Sequence, residues 1–277
     1  MRLGGPVAGD WHDVGQWVQA HKSLGYTAAY VPGMALDDPQ IDELVSAAQK
    51  AGLLLAEVGA WSNPISSDAA ERDKALAHCR RSLELAERVG ARCCVNIAGS
   101  RGQKWDGPHP TNLDDRTFQM VVDSIRSIID AVKPKRTYYT LETMPWIFPD
   151  SVESYLRLIR AIDRKQFGVH LDPVNIINCP QRAYGNGALL MECFEALGHY
   201  IRSCHAKDIQ LGQDLTVHLD ECVPGTGCLD YGTFLREAAK LHLDMPVMLE
   251  HLKTQEEYAV AAQHLRKVAK EYALIWR

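Results

Sequence analysis

The chain has 277 residues, of which 46% are hydrophobic and 23% charged, and its formal net charge is -5. These are the proportions of a globular protein, and the acidic balance argues against a nucleic-acid partner, since phosphate contacts need a basic face. No apolar run reaches the roughly 18 residues that span a bilayer, so no membrane role is expected. The eight cysteines include no CxxC pair, and several fall inside predicted strands or helices. The first residues lack a charged region followed by an apolar stretch, so reduced thiols and a cytoplasmic location are expected.

Taken in order, Met1 to Gly5 reads as a short strand opening into a glycine-rich turn. A helix is predicted from Asp10-Trp-His-Asp13, with Val14, Trp17, Val18 and Leu24 on one face and Gly25 at its end. Tyr26–Val31 is a second strand. The next helix opens at Asp38-Pro39, faces inward through Ile41, Leu44, Val45 and Ala48, and stops at Gly52. Leu53 to Gly59 forms strand three, followed by a helix over 68–89 closed by Gly90. Arg92–Ile97 is strand four. It runs into a polar loop over 98–112 that is long enough to act as a lid.

Phe118, Val121, Val122, Ile125, Ile128 and Ile129 give residues 114–132 a helical period. Tyr138 to Glu142 is strand five, and Asp150-Ser151-Val-Glu153 caps the helix behind it. Phe167 to Asp172 is strand six, 173–184 reads as loop, and 187–197 as helix. Ile201 to His205 is strand seven, followed by a second long loop over 208–227. A helix at 231–241, a strand at 246–251 and a helix at 255–272 close the chain. Eight strands alternating with helices, with no break in composition, predict an α/β fold: one (β/α)₈ TIM barrel over residues 1–277.

Four of these strands end on groups that bind metals: Glu142, Asp172, His205 and Glu250. Successive tips are at least 30 residues apart, and one βαβ unit takes about 30, so each returns to the same end of the barrel. That end is where the active sites of such barrels sit. Taken singly, a carboxylate at a strand tip is more often an ion-pair partner or helix cap. Four on consecutive strands predict one site. Three carboxylates and an imidazole suit a hard divalent cation, Mn²⁺ first, with Mg²⁺, Co²⁺ or Zn²⁺ as alternatives. The negative surplus favours a neutral substrate over a polyanion.

These tips, with His-Leu-Asp-Pro at 170–173, Cys-His-Ala-Lys-Asp at 204–208, Pro-Gly-Thr-Gly at 224–227 and Leu-Glu-His at 249–251, resemble the xylose-isomerase-like sugar phosphate isomerase/epimerase superfamily. The superfamily includes ketose 3-epimerases, hydroxypyruvate isomerases and inosose dehydratases. The resemblance implies that Glu142 and Glu250 both bind the metal and exchange protons with the substrate from opposite faces, through a cis-enediolate. Asp172 and His205 complete the coordination. It also implies a homo-oligomer, a dimer or tetramer. Ketose 3-epimerases carry an arginine after this histidine. Here Ala-Lys-Asp follows His205, a form closer to the inosose-dehydratase-like branches.

The expected activity is therefore a metal-dependent isomerase or epimerase acting on a small carbohydrate-like hydroxy-ketone. The alternative is a lyase on the same site: an inosose or dehydroshikimate dehydratase, or a 3-keto-glycoside lyase. An apurinic-site endonuclease on this barrel would need more histidine ligands and basic loops, and a non-catalytic barrel would not need the ligand set. Expected substrate contacts are Glu57, His170, Lys207, Asp208 and Trp146, each weighed against a structural ion pair or plain packing. Trp11, Trp61 and Trp105 also fall in or near loops at this end. His251 is expected to face away from Glu250, because neighbouring residues on a strand point to opposite faces.

Overall fold

The computed structural model describes residues 1–9, 11 and 13–277. Asp10 and His12, at the predicted start of the first helix, lie outside the described residues. The strands are β1 (Arg2–Gly4), β2 (Ala28–Tyr30), β3 (Leu54–Gly59), β4 (Cys93–Asn96), β5 (Tyr139–Glu142), β6 (Phe167–Leu171), β7 (Ile201–Ala206), β8 (Asp208–Leu211), β9 (Leu219–Cys222) and β10 (Pro246–Leu249). The helices are α1 (Val14–Ser23), α2 (Ile41–Ala51), α3 (Ala69–Val89), α4 (Asp115–Val132), α5 (Val152–Ile162), α6 (Pro180–Tyr184), α7 (Asn186–Leu197), α8 (Tyr231–Leu241) and α9 (Gln255–Glu271).

Eight strands close into a barrel in the order β1-β10-β7-β6-β5-β4-β3-β2, and every neighbouring pair is parallel. The expected (β/α)₈ architecture is thus the observed one. The outward faces of the strands bury against the helices. Tyr139 of β5, for example, reaches Cys79 on α3. Side chains alternate across each strand, so the inward face fills the barrel. Met248 occupies that interior, and Gly4 makes room for it: a Cβ there would lie 2.6 Å from the Met248 sulfur.

Helix starts follow the sequence signals. Asp68, Asp114, Ser151 and Thr254 each accept a hydrogen bond from the backbone N–H three residues on. Gly52 and Gly90 end α2 and α3 at φ 67° and 74°, the left-handed conformation that suits glycine. The first helix is capped by Asp13 and begins at Val14.

Two predicted loops contain more structure than expected. Residues 173–184 hold a 3₁₀ turn, Val174–Ile176, and the short helix α6. The stretch 208–227, read as loop, contains the antiparallel hairpin β8–β9, with Asp208 opposite Cys222 and Leu211 opposite Leu219. The signal was weak because these strands are four residues each and half exposed, without a long apolar alternation. Among the described residues, no helix is long and apolar enough to cross a membrane.

Candidate metal centre

The pleat decides which tip residues face the barrel axis. Glu142 pairs in register with His170, His170 with Ser203, and His205 with Met248. These inward positions bring Glu142, Asp172, His205 and Glu250 together. One donor atom from each lies within 4.8 Å of all the others. His205 Nδ1 is 2.9 Å from Glu250 Oε2, 3.3 Å from Glu142 Oε1 and 3.7 Å from Asp172 Oδ2.

The cluster fits a divalent cation. Oxygen and nitrogen donors sit about 2.1 Å from Mg²⁺ or a similar ion, so donors on opposite sides are about 4.2 Å apart. Asp172 Oδ1 accepts the N–H groups of Val174 and Asn175 at 3.0 and 3.3 Å, which turns Oδ2 toward the cluster. Asp172 Oδ2 and Glu250 Oε2 are buried atoms that share one ammonium, Lys207 Nζ, at 2.8 and 3.4 Å. Three clustered carboxylates exceed what that one ammonium balances, and a divalent cation would offset the surplus. Glu142, Asp172, Glu250 and His205 Nδ1 would be the ligands.

Charge crowding shows in the acidities. Burial first, and then the neighbouring Glu250, push the Glu142 carboxyl up. Burial pushes Glu250 up too, but His205 and Lys207 outweigh it and hold Glu250 at about 2. Asp172 is held below the usual carboxylate range in the same way, by Lys207 and His205 against burial.

Glu57 and His170, expected as substrate contacts, lie beneath this cluster instead. Glu57 is 1% exposed and His170 is fully buried. Glu57 Oε1 takes hydrogen bonds from His170 Nε2 at 3.0 Å and from the Ser203 hydroxyl. Its other oxygen faces His205 Nε2 at 3.4 Å. Both residues therefore pack beneath His205 and do not line the cleft. The reason is depth. Glu57 sits in the middle of β3 rather than at its tip, one layer down.

Lys207 and Asp208 part company for the same periodic reason. Ser203, His205 and Lys207 alternate onto one face, and Lys207 Nζ lies 2.8 Å from Asp172, 3.4 Å from Glu250 and 3.7 Å from Glu142. Asp208, one residue on, points away. Its carboxylate accepts the backbone N–H groups of Ile209, Gly225, Gly227 and Leu229 at 2.8–3.0 Å. It is 1% exposed and anchors the base of the β8–β9 hairpin, so the expectation of a substrate contact is corrected. Pro-Gly-Thr-Gly belongs to this anchor, because a side chain at Gly227 would collide with Asp208.

A cleft of about 540 Å³ opens above the cluster, lined by Glu142, Glu250, Asn175, Trp61, Trp105, Trp146 and their neighbours. Trp146 is fixed by a 2.8 Å hydrogen bond to the Asp106 carbonyl, which ties it to the 98–112 loop. Trp11 is not among the cleft residues.

Three residues escaped the sequence reading. Asn175 donates to Glu142 Oε1 at 2.9 Å and accepts from Lys207 at 3.2 Å. Glu221 on β9 lies 3.3 Å from Lys207. His251, expected to face away, adopts φ 61° and turns back into the cleft, with Nδ1 3.0 Å from Glu221 and Nε2 3.5 Å from Glu250. The position of Asn175, three residues after Asp172, was the one available signal.

A parallel eight-stranded barrel with a carboxylate-rich cluster at the strand tips defines an α/β barrel with a candidate metal centre. The chain belongs to the xylose isomerase-like TIM barrel family, whose description matches residues 18–268. No curated protein sequence matches it. Among solved structures it is similar to 3-keto-D-glucoside 4-epimerase from E. coli, at 16% identity and TM-score 0.69, covering 98% of this chain and 99% of that one. It is also similar to the probable 3-DHS dehydratase involved in petrobactin synthesis from Bacillus anthracis, at 17% identity and TM-score 0.70, covering 96% and 98%. A xylose isomerase-like barrel from Mycobacterium smegmatis in complex with magnesium has 18% identity and TM-score 0.67, with 93% and 88% covered.

Proposed function

We propose that this chain is a divalent-metal-dependent isomerase or epimerase acting on a sugar or related hydroxy-ketone. The observation that carries the reading is the convergence of four donors, three of them on buried residues, within 4.8 Å of one another, with Glu142 and Glu250 lining an open cleft. A bound divalent cation supplies Lewis acidity, which lowers the barrier to removing a proton next to a carbonyl. Glu142 and Glu250 come from β5 and β10, with β6 and β7 between them. A planar enediolate held over the cluster would meet a carboxylate on each side. One takes the α proton and the other returns a proton. Lys207 brings an ammonium to the same floor, as a hydrogen-bond donor to substrate oxygens. The faces of Trp61, Trp105 and Trp146 suit the C–H surface of a sugar. The epimerase among the similar structures supports this reading. Magnesium in another supports a hard cation, with Mn²⁺ our first choice. Eight free thiols suit a reducing, cytoplasmic setting.

A lyase is the second reading. Lys207, 2.8 Å from Asp172, could protonate a departing hydroxyl, and the similar dehydratase fold supports it. A panel of keto-sugars and keto-inositols, incubated with the Mn²⁺-loaded protein in deuterated water and followed by proton NMR, separates the two. Deuterium at the α carbon without loss of water is the expected result. Loss of water with a new conjugated-enone absorbance would move the assignment to lyase. No exchange and no elimination across the panel would sink both.

A further inference from the structure

We propose that Glu221, supported by His251, is the specificity-determining residue of the cleft: it accepts a hydroxyl of the substrate at the end away from the metal and excludes phosphorylated sugars. The proposal rests on the metal-dependent keto-sugar reading above and names its substrate class as uncharged polyhydroxy ketones.

Glu221 does not come from a barrel strand. It reaches the cleft from β9, on the hairpin whose base Asp208 clamps through four backbone amides. There it borders both the cleft of about 540 Å³ and an adjoining lobe of about 510 Å³ lined by Trp146, Asn178, Val217 and Leu219. A substrate chelated at one end would extend past this junction.

Both carboxylate oxygens of Glu221 are held by groups of the cleft. Oε1 lies 3.3 Å from Lys207 Nζ, and Oε2 lies 3.0 Å from His251 Nδ1. His251 reaches it only through left-handed backbone at φ 61°, a conformation uncommon outside glycine. Burial does not drive that turn, because the His251 side chain is 54% exposed. Strain kept at an exposed position beside a cleft points to a role in the cleft. With 41% of its side chain exposed, Glu221 still has surface to offer a ligand.

Charge sets the class of ligand. Glu142, Asp172, Glu250 and Glu221 carry four negative charges. Lys207 and one divalent cation carry three positive charges, counting the imidazoles neutral. Glu57 beneath the cluster adds a further negative charge, so carboxylates outnumber cations, and Glu221 is the most exposed of these carboxylates to a group entering the cleft. A like charge a few ångströms away repels a phosphate, while the same carboxylate accepts a neutral hydroxyl.

The test is calorimetric binding of D-fructose and D-fructose 6-phosphate to the full-length, Mn²⁺-loaded protein, with Mn²⁺ stoichiometry and melting temperature measured in parallel. Wild type is expected to prefer fructose by about tenfold or more, and Glu221→Gln to narrow that preference by about tenfold. His251→Ala, which leaves the carboxylate in place but unsupported, should weaken fructose alone. A wild-type preference for the phosphate, no binding of either sugar, or an unchanged ratio in a folded, metal-loaded Glu221→Gln protein would overturn the proposal. Failure of the underlying reading shows separately, as no α-proton exchange with any sugar of the panel.

Discussion

Glu57 Oε2 lies 3.4 Å from His205 Nε2, and both side chains are fully buried. This contact sits on the far side of the imidazole from the ligand cluster, where Nδ1 is 2.9 Å from Glu250. A carboxylate behind a metal-binding histidine favours a proton on the rear nitrogen, which leaves the front nitrogen free to bind. Replacing Glu57 with Gln is expected to weaken Mn²⁺ binding by about 10–100-fold, the usual cost of losing such a partner. Titration of metal-free protein followed by electron paramagnetic resonance reads this directly. An unchanged affinity would show that Glu57 has only a packing role.

The two carboxylates proposed to act on opposite faces make a directional prediction. Glu142→Gln and Glu250→Gln should each lower epimerisation by about 10²–10⁴-fold, the range for loss of a general acid or base. Each variant should keep some deuterium wash-in from one epimer, the one whose proton faces the surviving carboxylate. Full exchange from both epimers in either variant would remove that residue from the role.

Metal removal should cost stability, more so as pH rises. Burial and Glu250 raise the Glu142 carboxyl above its unfolded value. The native metal-free state therefore holds a proton that the unfolded chain has lost. Between the ordinary glutamate value and the raised one, metal-free stability falls with increasing pH. A cation reverses this by displacing the proton. With Mn²⁺ at about 100 times its dissociation constant the gain is about 2.7 kcal/mol. Thermal melts with chelator and with Mn²⁺ across pH 5–8, together with proton release on metal addition, check both parts. Melts that coincide at every pH would contradict the site.

Asp208 separates a structural role from a binding role. Asp208→Ala leaves four backbone N–H groups around an empty position. A loss of about 2–3 kcal/mol is expected, with faster amide exchange over 208–222. Asp208→Asn keeps one acceptor and should lose less. A raised KM with unchanged stability would instead favour the substrate contact expected from sequence.

The barrel itself was legible because its signals are local. Caps such as Asp68 and Ser151, stops such as Gly52 and Gly90, and short runs buried on both faces mark helices and strands in turn. The four strand-tip residues that converge were legible too, since ionisable groups at the ends of four buried strands are harder to explain together than singly. Lys207 could have been told from Asp208 by alternation alone, counting from His205. The β8–β9 hairpin was not legible, because short half-exposed strands carry no apolar period.

By itself the sequence determined the alternation of strand and helix and the residues at the strand tips, since both follow from hydrophobic period and the cost of burying charge. Only the tertiary structure decided depth and direction. It set Glu57 and His170 beneath His205, turned Asp208 onto its own loop, and brought Glu221 and His251 over the cleft. Depth depends on how far each strand is staggered within the closed barrel. Direction at a chain reversal depends on a single backbone angle, such as the φ of 61° at His251, and no side-chain pattern encodes either.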